Sequence, residues 1–357
     1  ITIPVLISAH ADRFGQRPAF TMGLKPQLSS GCYESLSEAL AHRQLQGWVS
    51  SVSFREDDTF CVRPYNMFEW LFAAMLAVMT VLASATCLFV TFIFLRRMLR
   101  RSRRSHLDTA RKLEGKPAIT AVIPCYLPNE QYLIEETIEW IMREVESPGP
   151  LEVCVVYNTP VDLPEIEARL KELEVLDSWP EGRRFRAMRV MESKSKAANL
   201  NAAMKTVEDP FVVIYDADHH PDHDSLMLLW EKMVRTGVDC VQGSYYMRNL
   251  SDNQFGCSPC AFPFLARIID AEFFTDWYLM KLVTRTFMLG NAYFSGSNAL
   301  WKTEVLGARE FSETAQTEDV DMAIQQLLDG RRIEFCAESR SGELAPMNCA
   351  SMWKQRM

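Results

Sequence analysis

An α/β domain behind a transmembrane helix is what this sequence predicts, and three observations carry the prediction. One apolar run, Trp70 to Leu95, contains no charged residue. A run of arginines follows it at once. From Pro117 onward, short β-rich apolar runs alternate with charged amphipathic segments, the pattern of strands layered with helices.

The apolar run is long enough to cross the hydrocarbon layer at about 1.5 Å per residue, and no polar stripe marks it as the face of a soluble helix. Its C-terminal flank carries Arg96, Arg97, Arg100, Arg101, Arg103 and Arg104, whereas Glu56, Asp57 and Asp58 precede it with Arg63. That asymmetry predicts an integral membrane protein whose following domain faces the cytoplasm. The arginines read as a juxtamembrane anchor on anionic lipid heads, since the net charge of −8 opposes polyanion binding and excludes a nucleic-acid partner.

The organisation expected is residues 1–66 as an extracytoplasmic or incomplete N-terminal segment, 67–95 as the span, 96–116 as a basic linker, and 117–357 as one α/β domain cut short at its C-terminus. The chain begins at Ile1 without a basic n-region and cleavage site, so no signal peptide is visible and a fragment is expected. Of the ten cysteines, those after the span are expected reduced, and only Cys32 and Cys61 are candidates to pair. Cys257-Ser258-Pro259-Cys260 has no second ligand pair at metal spacing, so a zinc site is not expected.

Within the domain, Ile119 to Ile123, Glu152 to Val156, Phe211 to Tyr215 and Val238 to Gln242 read as strands. Glu130 to Val145, Pro164 to Leu176, Lys196 to Val207 and Asp224 to Thr236 read as helices, with Asp162 and Asp224 as N-caps and Pro164 in a first turn. Open α/β sheets bind ligands at the carboxyl ends of their strands. There stands Asp216-Ala217-Asp218-His219-His220-Pro221, directly after FVVIY. Two carboxylates so placed suit Mg2+ or Mn2+ shared with a diphosphate. Of the two histidines, His220 is the candidate for the metal or substrate, although both fit hydrogen-bonded structure. About a hundred residues on, Gln316-Thr317-Glu318-Asp319-Val320-Asp321 opens a helix whose Met322, Ile324, Leu327 and Leu328 are expected to face a core. A carboxylate there is placed to take a proton from an attacking hydroxyl.

A strand-end Asp-x-Asp, then Thr-Glu-Asp, then Gln-Arg in Trp353-Lys354-Gln355-Arg356-Met357, resembles the membrane-bound family 2 glycosyltransferases, including cellulose synthase. The resemblance spans Pro117 to Met357 and takes in Ile123-Pro124-Cys125-Tyr126, Lys194-Ser195-Lys196-Ala197-Ala198-Asn199-Leu200-Asn201 and Gly296-Ser297-Asn298. The family's last motif is Gln-x-x-Arg-Trp, and this chain stops where Arg-Trp would follow. The resemblance implies a GT-A mixed sheet flanked by helices and an inverting transfer of a hexose, glucose from UDP-glucose foremost, to a glycan acceptor at the lipid bilayer. It implies donor contacts from Pro124, Tyr126, Glu130, Asn158, Lys196, Asn199, Asp216 and Asp218. The metal would lie on Asp216, Asp218 and His220. Asp319 would be the general base with Glu318 beside it, and Gly296, Ser297, Asn298, Gln355 and Arg356 would lie on the acceptor side.

One departure stands out. Where the family shows an acidic pair after the second strand, this chain has Tyr157-Asn158-Thr159-Pro160, so a base there meets the amide of Asn158 rather than a charge, with Asp162 as substitute. That departure motivates a rival reading, a membrane-bound nucleotide-sugar-binding or assembly subunit without catalysis. A dinucleotide or P-loop enzyme is excluded further, because no G-x-G-x-x-G or G-x-x-x-x-G-K follows any candidate strand. Phe262 to Leu289, apolar with scattered charges, fits either a surface element on the membrane that gates the acceptor or a core helix pair.

Overall fold

The computed structural model describes residues 32–33, 60–61, 67–98, 103–113, 115–250, 263–274, 278, 285–346, 350 and 352–353. Two compact units divide at Cys87. In the first, β1 (Cys32–Tyr33) pairs antiparallel with β2 (Phe60–Cys61), and the register sets Cys32 opposite Cys61. Helix α1 (Met67–Met98) follows, and its Trp70–Phe92 stretch of 23 residues has a mean hydropathy of 2.2 with no residue buried. At about 1.5 Å per residue that stretch is roughly 35 Å long, enough to cross a bilayer.

The second unit holds one mixed sheet. In chain order its elements are α2 (Arg103–Ala110), β3 (Ile119–Tyr126), α3 (Leu127–Glu130), α4 (Ile134–Glu144), β4 (Leu151–Asn158), α5 (Pro164–Glu174), β5 (Arg183–Arg189), α6 (Lys196–Met204), β6 (Phe211–Ile214), β7 (His220–Pro221) and α7 (Ser225–Thr236). After these come β8 (Cys240–Met247), α8 (Pro263–Glu272), α9 (Arg285–Leu289), β9 (Ala299–Lys302), α10 (Thr303–Leu306), α11 (Glu318–Leu328) and β10 (Ile333–Glu343). The eight strands lie in the order β5-β4-β3-β6-β9-β8-β10-β7. Pairing is parallel from β5 to β6 and between β8 and β10; β9 runs antiparallel to both β6 and β8.

Strand β3 has its first seven residues buried, as a strand covered on both faces requires. Its alternation divides the core: Ile119, Ala121 and Ile123 join Ile138 and Ile141 of α4 and Leu226 of α7. Val122 joins Leu200 of α6, Ile214, Trp301 and Met322 in the opposite layer. The chain adds strands outward from β3 to β4 and β5, then returns to β6 on the other side. The carboxyl ends of β3 and β6 therefore flank a switch point, where this sheet type opens a crevice.

Several elements differ from the sequence reading. Strand β5, rich in arginine, carries no apolar run; it forms because Phe185 faces the core while Arg184 and Arg186 grip Glu152 and Arg189 pairs with Asp162 and Glu167. Asp162 is thus an ion-pair partner and not a cap, and Leu163 holds the N-cap position of α5 with Pro164 at its start. Asp224 holds the N-cap position of α7 without a side-chain cap bond. On α11 the core face is Met322, Ala323 and Gln326, whereas Ile324 and Leu328 are exposed. Helix α1 runs on to Met98, beyond residue 95 where the span was expected to end, while its apolar stretch is Trp70–Phe92. In the region read two ways, Ala266 and Ile269 of α8 are core residues packed with Met247, whereas Phe287 of α9 meets the rings of Phe89 and Phe92 edge-on. Cys257 and Cys260 lie outside the described residues, as do Gln355 and Arg356.

Candidate active site

Lys196 is the first residue of α6, and the helix starts there because Ser195 is extended and its Oγ accepts the Ala198 amide at 3.1 Å. Its ammonium pairs with Asp216, just past β6, and lies 3.9 Å from Glu318 at the start of α11. Burial works against the charge of Lys196, but Asp216, then Glu318 and Asp319, outweigh it and hold the proton more tightly than in a free lysine. Three distant segments are thereby drawn into one cleft.

Asp319 lies against the loop before β9. Gly296 takes φ +91°, and a Cβ built there would sit 3.0 Å from Asp319 Oδ2 and 3.5 Å from Lys196 Nζ. Only glycine permits both that backbone and that approach. Burial pushes the Asp319 carboxyl above its ordinary range and Asp216 adds to the effect, partly offset by the Val320 amide, which donates to Oδ1 at 2.8 Å, and by Lys196.

The loop itself is clamped from β8. Gln242 receives the Ser295 amide at 2.9 Å and donates to the Ser297 carbonyl at 2.8 Å; the Tyr245 hydroxyl, 2.6 Å from the same carbonyl, bonds Ser295 as well. Ser297 Oγ in turn accepts the Asp216 amide at 3.0 Å, so the loop that touches Asp319 also fixes the backbone of the strand-end aspartate. Asn298, expected at the acceptor boundary, is instead wholly buried in the left-handed region, φ +46°. Its amide donates to the Ser244 carbonyl and accepts from Ser225 Oγ, so it shapes the loop from beneath.

The residues expected around the donor divide similarly. Tyr126 is partly exposed at the end of β3, and its amide donates to Glu130 at 2.7 Å. Burial raises the Glu130 carboxyl to about 7, with the Cys125 thiol and the Tyr126 amide lowering it and Asp218 and Asp216 raising it. Pro124 is interior to β3, opposite Val156. Asn158 and Asn199 are buried and bonded to each other: Asn199 donates to Asn158 Oδ1 at 2.8 Å and to the Cys125 carbonyl, and Asn158 donates to the Ser193 carbonyl. Those amides tie the ends of β3 and β4 to the turn before α6.

The two histidines lie in different surroundings. His220 stacks on Trp140 at 5.1 Å, its Nδ1 faces Arg248 at 2.7 Å, and its Nε2 lies 3.4 Å from Thr137. Burial, then Arg248 and His219, lower it to about 3, and both ring nitrogens face protein groups rather than the strand-end aspartates. His219 is the one that lines an open pocket with Asp216, Tyr245, Phe273, Ser295, Ser297 and Glu343. Sequence reasoning missed Glu343, Tyr245 and Gln242. Glu343 ends a strand that was not foreseen, and the signal in the sequence was the alternation of Ser339, Ser341 and Glu343, which sets hydrogen-bonding groups on one face of it.

No group of three or more His, Cys, Asp or Glu among the described residues is arranged to enclose a metal by itself. A hard divalent cation fits none the less when it shares its shell with a diphosphate, because such a cation needs only one or two protein carboxylates. Burial first raises the Asp319, Glu343 and Glu130 carboxyls, and Asp216, or Asp216 with Asp218, adds a smaller effect that a dication on the strand-end pair would offset.

A mixed sheet opening at β3 and β6, with paired carboxylates past one strand and a helix-borne carboxylate across the cleft, is the frame of a GT-A-like glycosyltransferase. The chain belongs to glycosyltransferase like family 2, which matches residues 117–357. Among solved structures it is similar to a mannosyltransferase from Pyrobaculum calidifontis in complex with GDP-Man and Mn2+, at 21% identity and TM-score 0.53, covering 80% of this chain and 71% of that one. It is also similar to glucosyl-3-phosphoglycerate synthase from Mycobacterium tuberculosis in complex with Mn2+, UDP and glucosyl-3-phosphoglycerate, at 18% identity and TM-score 0.41, covering 67% and 75%. S. aureus TarS matches at 15% identity and TM-score 0.43, covering 64% of this chain and 37% of that one. No curated protein matches.

Proposed function

We propose that this chain is a membrane-bound, cellulose synthase-like glycosyltransferase that moves a hexose from a nucleoside diphosphate, UDP-glucose foremost, to a hydroxyl of a glycan acceptor with inversion at the anomeric carbon. The observation that carries the reading is the convergence of Asp216, Glu318 and Asp319 around Lys196, with Gly296 in contact range of Asp319.

The chemistry follows from those positions. The acceptor hydroxyl gives its proton to a carboxylate oxygen of Asp319 as its oxygen forms the new bond to the anomeric carbon, and the bond from that carbon to the diphosphate breaks. Asp319 suits the task because burial has made it more basic than a free aspartate. Lys196, charged and fixed at the start of α6, offsets charge on the departing diphosphate. A Mg2+ or Mn2+ ion held by Asp216 and Asp218 would neutralise more of that charge when bound. Glu318 keeps Lys196 in place from across the cleft. Tyr126, at the end of β3, offers an exposed ring to the nucleoside.

A bilayer location is supported by the length and apolar composition of helix α1, and the arginines of 96–104 after it favour a cytoplasmic catalytic domain. The test is transfer or donor hydrolysis by membranes containing the chain, over UDP- and GDP-hexoses, with and without divalent metal. Asp319→Asn should bind donor as the native protein does and lose about 10²–10⁴-fold in turnover, the usual contribution of a general base. Undiminished turnover removes Asp319 from that role, and metal-dependent nucleotide binding without transfer by the native chain returns the reading to a binding subunit.

A further inference from the structure

We infer that Glu343, held by His219, is a specificity-determining residue of this enzyme: its carboxylate accepts hydrogen bonds from the hydroxyls of a sugar ring seated in the cavity beside Asp216. The inference rests on the glycosyltransferase reading and deepens it, for none of the motif residues accounts for this cavity.

The cavity has the chemistry of a carbohydrate subsite. Phe273 gives it an apolar wall, Ser295 and Ser297 give it small polar groups, and Asp216 and Glu343 give it two carboxylates. Sugars present apolar ring faces edged by hydroxyl donors, and a buried carboxylate is a strong acceptor for such donors. Its distance from solvent matters as much as its identity. The Glu343 side chain is 17% exposed, and its Oε2 lies 3.3 Å from His219 Nε2. His219 is 3% exposed and has its other nitrogen 3.1 Å from Ser341 Oγ, two residues before Glu343 on the same strand, so the ring is held at both ends. The T-shaped contact with the Tyr245 ring at 5.2 Å fixes its plane. One carboxylate oxygen is therefore anchored, and Oε1 has no hydrogen-bond partner among the described residues while the side chain borders the cavity.

The arrangement is costly as mere structure. Burial raises the Glu343 carboxyl, His219 lowers it, and Asp218 and Asp216 raise it again, so the acid stands among like charges with one imidazole as its relief. A closed structural pair would have both oxygens satisfied, as Glu152 has from Arg184 and Arg186. Glu343 keeps one oxygen free at the wall of the substrate cleft. The strand supplies the position: Gly342, immediately before it, packs so closely that an added Cβ would sit 2.9 Å from Arg248 and 3.0 Å from Tyr246, which fixes the backbone from which Glu343 projects.

The test uses the full chain in detergent with Mn2+, comparing native protein with Glu343→Gln and Glu343→Asp. Binding of UDP, UDP-glucose, GDP and GDP-mannose is measured by calorimetry, and donor and acceptor KM by transfer. If the ring in the cavity belongs to the donor, Glu343→Gln binds UDP or GDP as before and loses about ten- to a hundredfold in affinity for the matching nucleotide sugar, the effect of losing a charged hydrogen bond. If it belongs to the acceptor, donor binding is unchanged and acceptor KM rises by a similar factor. Glu343→Asp, which keeps the charge but withdraws it, should fall between the two, and His219→Gln, which keeps a donor for Glu343, should raise the same KM with less effect on kcat. Should the Gln variant fail to fold, deoxy-hexose donors and acceptors tested on the native protein read the same contact, one deoxy position losing affinity far more than the others. Native binding of every sugar with no more affinity than its free nucleotide, together with unchanged KM values in Glu343→Gln, overturns the inference while leaving the enzyme reading intact. A native chain that neither binds nor transfers overturns both.

Discussion

Replacing Gly296 with alanine strains the one point where the loop, the base and the lysine meet. Its φ of +91° is a conformation that costs an L-residue roughly 1–3 kcal/mol, and the new Cβ would stand 3.0 Å from Asp319 Oδ2. In a domain of this size roughly 1 kcal/mol lowers Tm by about 2–4 °C, so a fall of several degrees is expected. Relieving the contact requires Asp319 to retreat by a few tenths of an ångström. Since about 1 Å of misplacement costs a factor near 10², a retreat of 0.3–0.5 Å corresponds to roughly four- to tenfold in kcat with donor affinity nearly unchanged. Gly330→Ala is the control: it has φ +78° and nothing within 4 Å, so it bears the same backbone strain without the contact. Thermal melts with steady-state kinetics on both variants check the reasoning. Equal kcat in the two variants, after both have lost stability, would refute the placement of Asp319 at the reacting hydroxyl.

Two further outcomes follow from the same structure. Glu130 is raised from its ordinary range near 4.5 to about 7, so its protonated form is favoured in the folded protein; the metal-free protein should lose stability as pH rises through that interval, by at most roughly 3 kcal/mol. Glu130→Gln should flatten the melting temperature between pH 4.5 and 7, and an unchanged slope would show that another group sets it. In the first unit, the register of Cys32 against Cys61 predicts a disulfide when the chain is made in a cell with an oxidising extracytoplasmic compartment. A mobility shift on reduction, lost in Cys32→Ser, is expected, with Cys125, Cys154, Cys240 and Cys336 unreactive because they are buried; cysteines 32 and 61 both open to alkylation in unreduced membranes would contradict the pairing and the orientation read from the arginine flank.

How much of this was legible in the sequence depended on whether a residue's role is local. The apolar helix α1, the strands β3, β4, β6 and β8, and the helices between them announce themselves by period and run length. The aspartates after β6 and the Glu318-Asp319 pair at a helix start were readable because strand ends and helix starts are places where side chains face ligands. Strand β5 was hidden because its stability comes from arginine pairs across to Glu152 and Glu167, a tertiary cause with no apolar signature. The histidines were hidden more deeply. Nothing in Asp218-His219-His220-Pro221 tells which ring turns toward Glu343 and which toward Arg248, because both partners arrive from strands and turns far along the chain. Asn298 illustrates a third case: its side chain serves the fold beneath the loop, while Gly296, two residues earlier, meets Asp319.

The proposed chemistry requires one cation gripping a diphosphate between the strand-end aspartates and Lys196, opposite Asp319. Anomalous diffraction from the protein with Mn2+ and UDP or GDP tests it most directly. The predicted result is a single strong peak at about 2.1 Å from carboxylate oxygens of Asp216 or Asp218 and from the diphosphate, with Asp319 on the facing wall of the same cleft. A manganese ion bound elsewhere, or a nucleotide seated away from β3 and β6 with no metal beside it, would contradict the account.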